Sequence, residues 1–147
     1  MTQKRYSQFV SLSLAHAGEL AYAEDAHGSF ELLSHLNRFF RYITREEEAV
    51  TVKEEIEACT SYVGIHQITS PSGLSVCFDV PSDVEQILIR RHSILSMLDS
   101  YVVDTPAPET PAPPVTVRLR RESAGLLCAV FGDEGNRAAT IAIHAGR

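Results

Sequence analysis

Between Thr105 and Pro114 the chain reads TPAPETPAPP, five prolines in ten residues. Proline lacks an N–H and holds φ near one value, so neither a helix nor a strand ladder can run through this stretch, which reads as an extended, semi-rigid connector. Regular elements have to form on one side of it or the other. Apolar residues before it recur mostly at helical spacing, and those after it alternate.

On the N-terminal side, Phe9 to Ala23 has no proline and is rich in Leu and Ala, which predicts a helix weakened by Gly18. After the break EDAHGS, the residues Phe30, Leu33, Leu36, Phe40 and Ile43 recur every three or four positions. The two segments predict a helical hairpin. Thr51 followed three residues later by Glu54 predicts a capping box and a third helix, whose stripe Ile56, Cys59, Tyr62 or Val63, and His66 faces the core until Pro71-Ser72-Gly73 ends it.

Leu74, Val76, Phe78 and Val80 alternate with polar residues as in a half-buried strand, closed by Pro81. Ile89 to Val103 carries Ile94, Leu95, Leu98 and Tyr101 at helical spacing and predicts a fourth helix. Beyond the prolines, Val115, Val117 and Leu119 alternate, ESAG turns the chain, Leu126 to Phe131 returns, and Thr140 to His144 adds a further strand. This order predicts an α+β fold: a hairpin over 1–48, then an α/β domain over 49–147 with a mostly antiparallel sheet and helices on one face. The hairpin's outward apolar stripe needs a partner, and a second copy of the chain is the simplest one.

A net charge of −6 and scattered Lys and Arg leave no basic stripe, so nucleic acid is not an expected partner. The basic cluster RLRRE, from Arg118 to Glu122, reads as the solvated face of a hairpin. No apolar run approaches the ~20 residues that span a bilayer, and MTQKRYSQF lacks the apolar core of a signal peptide. No membrane insertion and a cytoplasmic location are therefore expected. Cys59, Cys77 and Cys128 lie far apart within apolar patterns and read as reduced thiols, while His27, His35, His66 and His144 show no paired ligand spacing.

The stretch RYITREEEAVTVKEEIEACTSYVGIHQ resembles the LytS-type sensor histidine kinases, through Arg41-Tyr42, Val50-Thr51, Glu54-Glu55, Tyr62 and Ile65. LSVCFDVPSD is similar to that family's next strand, ILIRRHSILSMLDSYVVD to its asparagine-bearing helix, and VTVRLRRESAGLLCAVFGDEG to its hairpin. The resemblance implies a dimerising helical hairpin followed by an ATPase-like sandwich of the Bergerat type. It puts Gln8 at the phosphoacceptor position, Asp99, Ser100 and Asp104 at the magnesium and nucleotide positions of the fourth helix, and Asp133 and Gly135 at the adenine turn. It also implies a pairing face of Phe9, Leu12, Phe30, Leu33, Leu36 and Phe40.

An amide has no basic lone pair with which to attack phosphorus, so Gln8 cannot carry a phosphoramidate. His16, two turns on, lacks the family's neighbouring residues. Ser100 replaces the magnesium-binding asparagine, Arg137 replaces the second glycine of the adenine motif, and Asn136 to Ala139 runs straight into the last strand where the family has a flexible lid. Asp133-Glu134-Gly135 is then read as a tight turn. The expectation is a catalytically inactive kinase-like module with no metal and no cofactor, ATP and magnesium binding being at most weak. It would pair as a homodimer and bind a signalling protein such as a kinase or response regulator. The alternative is a nucleotide or small-ligand binder using the remodelled pocket.

Overall fold

The computed structural model describes residues 3–24, 26–70, 74–104, 114–132 and 135–144. Helices α1 (Gln3–Ala23) and α2 (Ala26–Ile43) form the expected hairpin, with α1 starting six residues before the expected Phe9. They run antiparallel: Phe9 meets Phe39 near the open end, and the Ser29 hydroxyl donates to the Ala17 carbonyl near the turn. Tyr6, Val10, Ser13 and Ala17 face inward from α1, and Leu32, Leu36, Phe39 and Ile43 face inward from α2.

The apolar surface of α2 is therefore wider than one stripe. Leu36 and Ile43 belong to the buried row, whereas Phe30, Leu33 and Phe40 lie on a neighbouring row that faces outward, Phe30 being 70% exposed. Spacing of three and four residues fits both rows, because adjacent rows differ by a single 100° step.

After the hairpin come β1 (Ala49–Thr51) and α3 (Val52–Thr69). The expected capping box closes the start of α3: the Glu54 N–H donates to the Thr51 hydroxyl at 3.1 Å, and the Thr51 N–H donates to the Glu54 carboxylate at 2.8 Å. α3 is the central helix, with buried residues from Val52 to Ile65. The His35 ring of α2 lies so close to Gly64 that a Cβ there would stand 2.5 Å from Nε2. Glycine at 64 is what lets these two helices approach.

The main sheet has the order β2-β4-β5-β6, built from β2 (Val76–Asp79), β4 (Val115–Glu122), β5 (Gly125–Gly132) and β6 (Gly135–Ile141). β2 runs parallel to β4, with Val76 opposite Val115, and the other pairs are antiparallel, as the alternation predicts. Val117, Leu119, Leu126, Cys128 and Val130 are buried in the core shared with α3 and α4 (Ser93–Asp104). Arg118, Arg120 and Arg121 are exposed, so the basic residues of RLRRE are solvated while Leu119 between them faces the core. The last strand begins at Gly135, earlier than the expected Thr140. Residues 136–140 are all exposed on this edge strand, so burial imposes no alternation there to read.

The segment expected to form one helix from Ile89 divides in two. Leu88–Arg90 is a strand, β3, pairing antiparallel with β1, and the helix α4 spans Ser93–Asp104. Between them His92 takes a left-handed conformation, φ 73°. A single 3-10 turn at Ser82–Val84 leads into β3. The proline-rich connector, residues 105–113, lies outside the described residues.

Gly125 closes the β4–β5 turn at φ +149°, where a Cβ would meet the Ile141 carbonyl oxygen at 2.5 Å. Gly125→Ala is expected to cost about 1–3 kcal/mol through backbone strain. Urea unfolding measures it; a midpoint equal to that of the wild type would show that the turn relaxes freely.

Candidate functional site

At the open end of the hairpin α1, α2, α3 and the entry to α4 meet around a cluster of rings. Phe9 stacks on Tyr62 with centroids 5.1 Å apart and lies 5.0 Å from His66, while Tyr6 meets Phe39 edge-on at 5.9 Å. The His92 ring sits 4.7 Å from Tyr6 and 5.6 Å from Tyr42. Burial lowers the His66 and His92 imidazoles, His92 to about 4, so both are neutral at pH 7.

Asp99, on α4, is buried beside this cluster. The Tyr62 hydroxyl donates to its Oδ1, and Arg5 of α1 donates from Nε to Oδ2 at 3.0 Å and from Nη2 to Oδ1 at 3.3 Å. Burial, reinforced by the Asp99 carboxylate, pushes the Tyr62 phenol well above its ordinary value, so it stays a donor. One carboxylate thus ties three helices together.

Glu55, on α3, is a second buried carboxyl. Its Oε1 accepts the His92 N–H at 3.0 Å, and its Oε2 accepts the N–H groups of Ile94 and Leu95 at 2.8 and 2.9 Å. These are amides at the start of α4 that the helix itself cannot satisfy. Burial pushes the Glu55 carboxyl up to about 7, while the three amides pull it down. A tertiary contact from α3 therefore caps α4 and holds His92 in its left-handed turn.

The residues singled out in the sequence are scattered through this frame. Gln8 is exposed on α1, one position before Phe9. Asp99 is engaged by Arg5 and Tyr62, and Ser100 beside it is half-buried. Asp104 is the last residue of α4. Asp133 and the side chain of Asp104 lie outside the described residues, but Gly132 of β5 pairs with Gly135 of β6, which leaves two residues to connect the strands. Among the described residues no group of three or more His, Cys, Asp or Glu could hold a metal ion. No described helix is long and apolar enough to cross a membrane.

Of the six expected pairing residues, Leu12, Phe30, Leu33 and Phe40 are exposed, Leu12 at 66%. Phe9 is half-buried in the ring cluster and Leu36 is in the protomer's own core. Sequence reasoning passed over Arg5, named Glu55 only as part of the resemblance, and considered His92 only as a neighbour of the acidic groups in the ligand-binding alternative. A signal existed for Glu55: it stands four residues before Cys59 and seven before Tyr62, on the buried row of α3.

A groove of about 270 Å³ opens between the C-terminal end of α2 and α3, lined by Arg38, Arg41, Tyr42 and Arg45 and by Glu54, Glu57, Ala58 and Ser61 of α3. Arg45 is paired within it to Glu54 at 2.9 Å and to Glu47 at 3.3 Å.

A comparison with curated proteins gives no match. Residues 7–74 match the family model described as histidine kinase, a span that runs from the first turns of α1 through α3 to Leu74. Over that span, which holds the hairpin, Gln8 and both residues that satisfy the α4 amides and Asp99 from α3, the chain is histidine-kinase-like.

Proposed function

We propose that this chain is a catalytically inactive, histidine-kinase-like signalling module that works by pairing through its helical hairpin and by binding a signalling protein such as a kinase or response regulator. The observation that carries the reading is Gln8, exposed on α1 at the position the resemblance gives to the phosphoacceptor, with a side chain that has no nucleophilic lone pair. The second support is Asp99. A carboxylate bonded to Arg5 and Tyr62 has most of its acceptor sites taken from within the protein, and magnesium would have to compete with those bonds and with the Arg5 charge.

The outward row of Phe30, Leu33 and Phe40 beside Leu12 supports pairing, since a second hairpin laid against it would remove these side chains from water. Leu33→Glu or Phe40→Glu is expected to halve the mass seen in light scattering. An unchanged mass would sink the hairpin as the interface. Incubation with labelled ATP is expected to leave no label on the protein. An acid-labile label would overturn the inactive reading.

A further inference from the structure

We propose that the groove between α2 and the first half of α3 binds a phosphate-bearing group. Arg38 and Arg41 lie one turn apart on the last turns of α2, Arg45 follows two residues after the helix ends, and all three line the groove opposite α3. In a chain of net charge −6, three of the 13 Lys and Arg residues are gathered there.

The three guanidiniums differ in state. Arg45 is held by Glu54 and Glu47 and forms a fixed wall. Neither Arg38 nor Arg41 has an ion-pair or hydrogen-bond partner among the described residues, and both are exposed. Two like charges one helical turn apart repel until an anion comes between them.

Guanidinium forks take carboxylates and phosphates alike. A carboxylate has two oxygens and is taken up by one fork, whereas a terminal phosphate presents three and can accept from the Arg38 and Arg41 forks at once; Glu57, opposite them, repels any anion and is the charge that the two guanidiniums have to outweigh. The phosphates could belong to an inorganic polyphosphate or to a nucleotide, and the groove would read only what the two share.

The test is calorimetric titration of the full chain at low ionic strength, with sodium tripolyphosphate in one arm and ATP in the other. Both are expected to bind saturably and with similar affinity. Arg38→Ala combined with Arg41→Ala should weaken both by about tenfold or more, and Glu57→Gln should tighten both. Arg120→Ala with Arg121→Ala, both exposed at the end of β4, should change neither. The groove arginines are exposed, so an unchanged melting temperature checks that the variants are folded. The proposal falls if there is no saturable heat, if the Arg38/Arg41 variant binds as well as the wild type, or if the Arg120/Arg121 variant loses binding instead. It also falls if ATP binds far more tightly than tripolyphosphate in a way indifferent to Arg38 and Arg41, since the base would then be read elsewhere. A chain that proved monomeric in light scattering would leave this inference standing, because nothing in it depends on pairing.

Discussion

Glu55→Ala is expected to lower the unfolding midpoint by roughly 10 °C, a loss of about 3–5 kcal/mol. The carboxylate accepts three backbone N–H groups at the start of α4, and truncation leaves amides beside the core without an acceptor. His92 also loses the bond that holds its left-handed turn. Calorimetry or urea unfolding measures the loss, and a drop of only a degree or two would mean that water reaches these amides.

The same residue shapes the pH dependence. Burial raises Glu55 from 4.5 to about 7, so the folded protein holds this proton more tightly than the unfolded chain. Its contribution to stability is full below pH 4.5 and lost as pH rises through about 7. His92 has the opposite sign. Burial lowers it from 6.5 to about 4, and its contribution is full above pH 6.5 and lost as pH falls through about 4. The two slopes oppose each other between pH 4.5 and 6.5, and beyond 6.5 the Glu55 loss stands alone. From pH 6 to pH 8 it amounts to about 1 kcal/mol. Glu55→Gln, less stable throughout because its NH₂ opposes an amide donor, should show no such decline, and parallel slopes for the two proteins would assign the loss to another group.

Arg5 and Asp99 are expected to be coupled. Arg5→Ala leaves a buried carboxylate held only by the Tyr62 hydroxyl, at a cost of about 2 kcal/mol once the partial exposure of Arg5 is allowed for. Asp99→Ala strands the Tyr62 hydroxyl but lets Arg5 swing out to water, for about 1–3 kcal/mol. Once Arg5 is gone, removing Asp99 removes an uncompensated charge, so the double variant should lose about 1 kcal/mol less than the sum of the single ones. Strict additivity in urea unfolding would mean that the ion pair does not hold α1 to α4 in solution.

Elements whose signals are local could be read from the sequence. The capping box at Thr51 placed the start of α3 correctly because both of its bonds lie within four residues, and the alternation from Val115 placed β4 because one face of that strand is buried. The helix expected from Ile89 failed at its first residues because Leu88–Arg90 is claimed by pairing with β1, some forty positions earlier, a long-range contact without a local mark. α2 shows a subtler limit. Its apolar residues occupy two rows, and only the packing of α1 and α3 decides that Leu36 goes inward and Leu33 outward. The candidate site divides the same way: Gln8 was identified by its place in a pattern, while the bonds that occupy Asp99 come from residues 94 and 37 positions away.

The parallel pairing of β2 with β4 bears on how the sheet assembles. Only two residues separate the last paired positions of β4 and β5, and again of β5 and β6, so each of those pairings closes a very short loop and loses little chain entropy. Placing Val76 opposite Val115 instead encloses the 3-10 turn, β3, α4 and the proline-rich connector in one loop. Antiparallel pairing in this sheet is cheap in sequence separation and the parallel pairing is dear, so within the sheet the slow, non-local closure is concentrated in the four residues of one short strand.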